Sequence, residues 1–357
     1  MLQLTRADVL ASRVRAQQLD RTSGTVDDTA VLDLGVQDTG AEAGRWSLAV
    51  RGVDDVSALA LVWSIRGAPH LYRRSDLPGV AGATAPFSDA DAAKRVFDAA
   101  KPLKAAGIPL LTALDTIAGH MRAIVTAPTV KGEMSRQLSE RVDQPYLRFC
   151  RTCDAVHLYE QPFRLAALRA GLELQPDTSP PVLQPIPDFA PAATVPDRLD
   201  VVRAYLRLHG PATPQQAAAY LDAPVKEVQA RWPEDAVEVQ VDGDRRWALA
   251  DDVDALTAGP VRTTRLLGPF DPYLQTRDRS LLVPDEARAK DLWRTLGRPG
   301  GVLVDGEIAG TWRPRKGRRL DVQVELWRDV DVPALEEQAA RLAAVRGAEP
   351  GEVQVSG

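Results

Sequence analysis

The amino-acid sequence predicts an α+β fold that is mostly helical, with short β-hairpins that follow groups of helices. Two observations predict this fold. Helix-capping residues precede apolar residues at helical spacing, and two Asp-Gly turns, Asp242-Gly243 and Asp305-Gly306, lie between runs that alternate as strands. The length of 357 residues, with 45% hydrophobic and 26% charged residues, suits two or three globular domains.

The clearest unit runs from about Arg198 to Leu249 and opens with three helices. Apolar spacing predicts a first helix up to His209, and Gly210-Pro211 then supplies a left-handed cap and a helix breaker. Thr213 is the expected N-cap of a second helix over 214–221, and a third helix ends near Trp232.

A β-hairpin completes this unit. Residues 237–241 alternate as a strand, Asp242-Gly243 is a strong hairpin turn, and residues 245–249 return as the partner strand. Three short helices followed by a hairpin is the plan of a winged helix.

The N-terminal half is predicted to be helical, because caps and terminating glycines bracket its apolar runs. The expected helices are one from Thr5 and Asp8 to about Leu19, one from Ser88 to Ala100, one over 109–125, one over 131–138 capped by Thr129, and one over 161–170 ended by Gly171.

Seven prolines in residues 176–197 predict an ordered linker that forms neither a helix nor a central strand. Beyond it, a three-strand meander is expected at 302–304, 307–313 and 320–327. A final helix over 333–345 ends at Gly347, and the last ten residues are expected to be frayed.

These elements predict the following division of the chain. It has a first winged-helix unit with associated helices at 1–100, a second winged-helix-like unit at 101–175, the proline-rich linker at 176–197, a third winged-helix unit at 198–258, and a C-terminal meander with a basic hairpin and closing helix at 259–357.

Composition excludes several classes of protein. No apolar stretch approaches the roughly 20 residues of a membrane span, and the N-terminus has no signal segment, so a cytoplasmic protein is expected. The two cysteines are too few for a secreted disulfide framework. Because the net charge is -5, any contact with a polyanion must depend on local basic patches.

One such patch is predicted at a hairpin tip, where five cationic side chains lie close together: Arg313, Arg315, Lys316, Arg318 and Arg319. A solvated loop is the plain interpretation of such a charge run. In a chain with helix-turn-helix units, binding of phosphates is the stronger interpretation, and its affinity would fall with salt.

A second candidate is the Cys150-x-x-Cys153-x-x-x-His157 motif, which supplies three soft ligands with a fourth available from His120 or His70. The motif lacks a second ligand pair. Two buried thiols beside a hydrogen-bonded histidine are the favoured alternative, so no metal is expected.

The third candidate is the stretch from Asp33 to Thr39, which precedes a predicted helix containing Trp46 and Val50. Its plain interpretation is a helix start in which Asp38 or Thr39 is the N-cap.

Several runs of residues, however, resemble the winged-helix DNA glycosylases of the AlkZ and YcaQ type over most of the chain. They are Leu34 to Asp38 (LGVQD), Arg45 to Val50 (RWSLAV), Trp63 to Leu71 (WSIRGAPHL), Leu266 to Tyr273 (LLGPFDPY) with Asp278-Arg279, and Leu303 to Trp312 (LVDGEIAGTW). The resemblance implies three tandem winged-helix units around a cleft for duplex DNA. It also implies removal of alkylated purines and, in some members, unhooking of interstrand crosslinks.

The resemblance further implies a catalytic pair, Gln-x-Gln or Gln-x-Asp, whose second residue holds the attacking water. That position matches Gln37, whereas the first matches Gly35, which has no side chain. Asp33 or Asp38 is a candidate substitute. The implied site is therefore Gln37 with Asp38, no cofactor is expected, and His70 and the hairpin at 313–319 are implied DNA contacts.

Two other functions stay open on the sequence. One is a DNA-binding protein without catalysis, such as a transcription regulator, for which Gly35 is the main argument. The other is a protein-binding module, which the acidic net charge permits. Because the repeats lie in one polypeptide, a monomer is expected.

Overall fold

The computed structural model of the protein describes residues 1–40, 42–315, 317 and 319–357. The chain divides into two compact units. Unit 1 comprises Met1–Ala58, Val202–Tyr220 and Trp232–Gly357, and unit 2 comprises Leu59–Val201 and Leu221–Arg231. The finer division predicted from the sequence stays a prediction. Among the described residues, no helix is both long enough and apolar enough to cross a membrane.

Helices and strands alternate irregularly along the chain. The α-helices of the described residues are Arg6–Ala16 (α1), Ala43–Ala49 (α2), Leu77–Ala83 (α3), Asp89–Arg95 (α4), Ala100–Ala105 (α5), Leu110–Ile124 (α6), Lys131–Ser139 (α7), Glu160–Arg169 (α8), Val201–His209 (α9), Pro214–Leu221 (α10), Val225–Gln229 (α11), Arg279–Leu282 (α12), Glu286–Leu292 (α13) and Val332–Val345 (α14). The strands are Leu2–Leu4 (β1), Val36–Gln37 (β2), Leu59–Trp63 (β3), Pro69–Arg73 (β4), Thr129–Val130 (β5), Leu147–Cys150 (β6), Ala155–Leu158 (β7), Leu172–Leu174 (β8), Val182–Pro185 (β9), Ala236–Val241 (β10), Asp244–Leu249 (β11), Thr264–Leu267 (β12), Gly300–Val304 (β13), Glu307–Arg315 (β14), Arg319–Leu326 (β15) and Glu349–Ser356 (β16). Helix takes 42% and strand 22% of the residues, so the predicted α+β fold is confirmed.

Unit 1 contains two sheets that share one hydrophobic core with α1, α2 and α14. The smaller sheet has the order β1-β10-β11, in which β1 runs parallel to β10. The larger sheet has the order β12-β13-β14-β15-β16. It contains the predicted meander, β13 to β15, which is confirmed.

Local caps set the helix starts of unit 1 as the sequence predicts. Thr5 and Asp8 form a capping box at the start of α1, although the helix ends at Ala16 rather than near Leu19. Thr213 caps α10, because its Oγ1 accepts the N–H of Gln216 at 3.3 Å while Gln216 Oε1 accepts the N–H of Thr213 at 2.9 Å. The helices and hairpin predicted between 198 and 249 are all present in that order.

Two predictions for unit 1 are wrong. Gly210 does not adopt the left-handed conformation; it is required because a Cβ there would lie 2.2 Å from the Leu206 carbonyl oxygen. The last residues are not frayed, since β16 pairs in parallel with β15 and joins the larger sheet. Gly347, with φ +59°, ends α14 as predicted.

Unit 2 corrects the prediction of a helical N-terminal half, because its strands pair side by side in the order β4-β3-β8-β9-β5. The proline-rich segment contains β9, which pairs with β8 on one side and β5 on the other. It therefore does form a central strand. None of the prolines of this segment lies inside the strand: Pro185 is its last residue, and the others lie before or after it, where few ladder hydrogen bonds are needed.

The predicted helices of unit 2 are present, with three differences at their ends. Ser88 caps α4 as predicted, but the helix ends at Arg95 because Phe97 has a φ of +50°, and α5 follows separately. Helix α7 follows Val130, without a side-chain cap, and Thr129 lies in β5. Helices α6 and α8 differ from the predicted ranges by one residue at each end.

Candidate functional site

The Gln37 side chain is held at the end of the short strand β2. It is 9% exposed, and its Nε2 donates to Thr39 Oγ1 at 2.9 Å. This hydrogen bond fixes the orientation of the amide, and Oε1 is therefore an acceptor that points in a defined direction. An oriented amide oxygen can accept a hydrogen bond from a water molecule, although it is hardly a base.

Asp38, the neighbouring candidate, lies in the segment that connects β2 to α2. Its Oδ1 accepts the N–H of Gly44 at 2.8 Å. Helix α2 starts at Ala43, and its N-cap residue, Glu42, makes no side-chain cap hydrogen bond. The prediction that Asp38 or Thr39 is the N-cap is wrong in position, but the Asp38 carboxylate still satisfies one of the free N–H groups of the helix start.

Helix α2 is fixed within unit 1 by two further contacts, and these support the segment that precedes it. Trp46, predicted to lie in this helix, donates its Nε1–H to the Leu266 carbonyl at 2.6 Å. Arg51 follows the helix and donates to both oxygens of Asp271 at 2.8 and 2.9 Å, with both side chains 0% exposed. A rigid element of this kind keeps polar side chains in one geometry.

Gly35 lies two residues before Gln37 and has a φ of +85°. In this left-handed region a side chain is strained, so the backbone here favours glycine. The backbone conformation at position 35 thus disfavours the glutamine that the catalytic pair would place there. Two carboxylates lie close to Gly35 in sequence, Asp33 and Asp38. Asp33 is half-buried at the end of a single helical turn over Ala30–Asp33.

The predicted basic hairpin is a long strand pair, β14 and β15, in unit 1. Arg313 and Arg319 each face a carboxylate, since Arg313 Nη2 lies 3.9 Å from Asp291 Oδ1 and Arg319 Nε lies 3.5 Å from Glu349 Oε2. Arg315 is exposed and has no carboxylate partner among the described residues. Lys316 and Arg318 lie outside the described residues.

A second basic group in unit 1 was missed by the sequence reasoning. Burial and the positive charges of Arg277 and Arg298 lower the pKa of Arg279 to about 10, and burial and Arg277 lower that of Arg298. The Arg279 guanidinium lies 5.0 Å from the centre of the Trp293 ring, and that of Arg298 lies 5.0 Å from the Phe270 ring. Arg277, Arg279 and Arg298 thus form a group of cations, two of them held against aromatic rings, that suits an anion such as phosphate.

Asp278 lies between two of these arginines in sequence but does not neutralise Arg279. It is buried and paired with Arg13, at 3.0 Å, and with Arg246. The sequence shows Arg277 and Arg279 as an Arg-x-Arg pattern, whereas nothing in the spacing indicates that Arg298 joins them.

His70, a predicted DNA contact, is a buried residue of β4 in unit 2 and is 1% exposed. Its Nδ1 lies 2.9 Å from the Ala68 carbonyl oxygen and 3.1 Å from Ser64 Oγ. Burial lowers the pKa of His70 to about 3, assisted by the charge of Arg66. Its role as a DNA contact stays a prediction, which this burial does not favour.

Cys150, Cys153 and His157 are brought together in unit 2, with their ligand atoms within 4.8 Å of one another. The expectation of two buried thiols is wrong, because Cys150 is only half-buried and Cys153 is exposed. Among the described residues, neither His120 nor His70 joins the group.

Comparison with known proteins gives one family and one solved structure. The sequence model of the family described as DNA glycosylase AlkZ-like matches residues 35–345. The fold is similar to that of Streptomyces sahachiroi DNA glycosylase AlkZ, with a TM-score of 0.76 and 21% sequence identity over 99% of this chain and 100% of that chain. A comparison of the sequence with curated proteins gave no match.

Proposed function

Because the chain belongs to the DNA glycosylase AlkZ-like family, and is therefore a DNA glycosylase of DNA repair, we propose that it removes alkylated purines from duplex DNA, including purines in interstrand crosslinks. The observation that carries the proposal is the family match over residues 35–345, which includes both Gln37 and the arginine group at Arg277 and Arg279. The proposed substrate class is the one that the family resemblance implies, and the chemistry that this site can perform suits it.

The proposed reaction needs little acid catalysis. A purine alkylated at N7 carries a positive charge, so the electrons of the N-glycosidic bond leave with it as a neutral base. Water adds to C1′ of the sugar and gives up a proton to the solvent. The enzyme has to orient that water and stabilise the cationic, oxocarbenium-like sugar.

Gln37 and Asp38 suit these two tasks. The Gln37 amide, held through Thr39, orients the water by accepting one of its hydrogens at Oε1. The Asp38 carboxylate adds negative charge near the developing cation while it holds the start of α2 through Gly44. Asp33 is a second candidate for this charge. No step of this proposed reaction requires a Schiff base on a lysine or a cofactor.

DNA binding is assigned to two basic groups of unit 1. Arg277, Arg279 and Arg298 provide preorganised guanidiniums for backbone phosphates, and Arg315 is the exposed cation of the β14–β15 strand pair. Lys316 and Arg318 are proposed to extend the second group, together with Arg313 and Arg319. Local patches of this kind reconcile DNA binding with a net charge of -5.

The finer architecture is also part of the proposal. Helices α9 to α11 with the β10–β11 hairpin follow the winged-helix order, and we propose three tandem units of this type with the boundaries predicted from the sequence. The protein is proposed to act in the cytoplasm as a monomer on double-stranded DNA.

The test is a glycosylase assay on a duplex that carries a single N7-methylguanine. Abasic sites are converted to strand breaks by alkali and counted after incubation with the wild-type protein, Gln37→Ala, Asp38→Asn or Gln137→Ala. Gln137 is a surface glutamine of α7 that bonds to Glu133, so its variant is the matched control. Strand breaks are expected with wild type and Gln137→Ala.

Loss of the Gln37 amide is expected to slow base release by about 100-fold, the lower range for a lost oxyanion-hole donor, which we take as the nearest analogue. Asp38→Asn keeps an acceptor for the Gly44 N–H and removes the charge, so a slower rate there measures electrostatic help. No breaks above buffer with the wild-type protein would refute the proposal for this lesion. Equal rates for wild type and Gln37→Ala would remove Gln37 from the mechanism.

Gly35 favours one second candidate, a DNA-binding protein that has lost catalysis. Without a first catalytic side chain, a site that works by positioning is weakened. The two candidates separate in one experiment, in which binding to the alkylated duplex is measured alongside base release. Tight binding with no base release from any alkylated purine would favour the second candidate.

A further inference from the structure

The hairpin formed by β6 and β7 in unit 2 holds two cysteines and a histidine that the glycosylase chemistry does not use. Cys150 ends β6, Cys153 lies in the turn, and His157 lies in β7 opposite Arg148. One ligand atom from each lies within 4.8 Å of the other two. Atoms at this spacing can share one ion, because metal bonds of 2.0–2.3 Å place two ligands of a tetrahedral ion about 3.3–3.8 Å apart.

The turn brings a backbone N–H and the second thiol to the Cys150 sulfur. The backbone N–H of Cys153 hydrogen-bonds to the Cys150 sulfur. The Cys153 side chain also hydrogen-bonds to the Cys150 sulfur, so the two sulfur atoms are in contact. Two thiols and an imidazole whose ligand atoms lie within 4.8 Å of one another form a donor set that a divalent cation can bind.

His157 is oriented as a metal ligand. Its Nδ1 lies 2.7 Å from the Leu158 carbonyl oxygen, and because a carbonyl only accepts, Nδ1 carries the proton. The neutral ring then has its lone pair on Nε2. A histidine that donates one ring N–H to a backbone carbonyl and coordinates through the other nitrogen is the usual arrangement at zinc sites.

We propose that Cys150, Cys153 and His157 bind one Zn²⁺ ion, with a water molecule as the fourth ligand. Thiolate and imidazole together favour zinc over the hard cations. The nearby Glu160 is committed to Lys131 and Arg164, at 2.7 and 2.6 Å, so it does not complete the site.

The ion fastens a hairpin that is weak without it. A two-stranded hairpin is marginally stable by itself, and this one exposes 59% of Phe149 and 50% of Val156. Zinc links both strands and the turn, which adds to the anchoring that the buried Leu158 of β7 provides. The site is independent of the proposed glycosylase reaction.

The experiment measures metal on the full-length protein without a histidine tag. Protein reduced to two free thiols is incubated with Zn²⁺, dialysed, and analysed by mass spectrometry for bound metal; a parallel sample receives Co²⁺ for absorption spectra. One equivalent of zinc is expected, and the cobalt sample is expected to show thiolate charge-transfer bands and the strong visible bands of a tetrahedral ion.

Single variants test each ligand. Cys150→Ser and Cys153→Ser are expected to lose the charge-transfer intensity and most of the zinc, and His157→Gln to weaken zinc binding by more than about tenfold, the lower range for even an indirect partner. His120→Gln in α6 is the matched control and keeps one equivalent. Circular dichroism confirms that each variant is folded.

Three results would overturn the proposal. The first is a zinc content of the wild-type protein well below one equivalent. The second is a cobalt spectrum that is unchanged by both cysteine substitutions. The third is a Cys150–Cys153 disulfide that persists under reducing conditions with zinc present. None of these results depends on whether the protein cleaves alkylated DNA, so failure of this proposal and failure of the proposed function are distinguishable.

Discussion

Replacing Asp271 by asparagine is expected to destabilise unit 1 by about 3–5 kcal/mol, the usual cost of breaking a buried ion pair. Both Asp271 and Arg51 are 0% exposed, and the guanidinium reaches both carboxylate oxygens at 2.8 and 2.9 Å. Asparagine fits the same space but offers one acceptor oxygen, and its NH₂ group faces a donor. The Arg51 charge then stays buried without compensation.

Urea denaturation followed by tryptophan fluorescence measures this loss. With a urea slope of about 2–3 kcal/mol per molar, the urea midpoint is expected to fall by about 1–2.5 M. The control is Asp54→Asn, because Asp54 is 74% exposed and lies 3.1 Å from Arg341. That surface pair is expected to contribute less than about 1 kcal/mol. If the free energy of unfolding of Asp271→Asn lies within about 1 kcal/mol of the wild-type value, the buried pair does not anchor α2.

Three further predictions test the backbone, the buried histidine and the basic group. Gly35→Ala is expected to lower the free energy of unfolding by about 1–2 kcal/mol, because φ at this position is +85°. Gly119→Ala on the exposed face of α6 is the control and is expected to raise the free energy of unfolding by about 0.5–1 kcal/mol. Changes of the same sign for both variants in urea denaturation would contradict this. His70 has a folded pKa of about 3 against 6.5, so the unfolded chain takes up the proton first, and stability present above pH 6.5 is lost as pH falls towards 3. His70→Gln should flatten that loss, and an unchanged pH profile of stability would refute the assignment. Arg279→Gln is expected to reduce the slope of log affinity for duplex DNA against log salt by about 0.9, with Arg136→Gln, an arginine already paired with Glu133, as the unchanged control; two equal slopes would exclude Arg279 from the interface.

Local signals in the sequence were sufficient for the helices and hairpins. The start of α10 is set by Thr213 and Gln216, which are three residues apart, and the meander turns at Asp305-Gly306. Each of these features depends on contacts between neighbours in sequence, so its pattern can be recognised without the fold.

Elements that depend on distant partners were missed. Strand β9 lies among prolines and exists because β8 and β5 pair with it, and β16 exists because β15 offers it an edge. The candidate site divides in the same way. Gln37 was identified through resemblance and not through its own pattern, whereas Arg298 joins Arg277 and Arg279 only through folding.

The discontinuity of unit 1 has a consequence for biosynthesis. Strand β1 pairs with β10, and Gln3 bonds to Gln240 across 237 residues of sequence. At about 5–20 residues per second, the ribosome needs about 10–50 s to deliver that partner. During this interval the apolar face of α1 has no completed core to enter, while the long continuous segment of unit 2 has already emerged. We therefore expect the nascent N-terminus to be a chaperone client, and any stall of translation before β10 to yield a chain with a folded middle and an unfolded beginning.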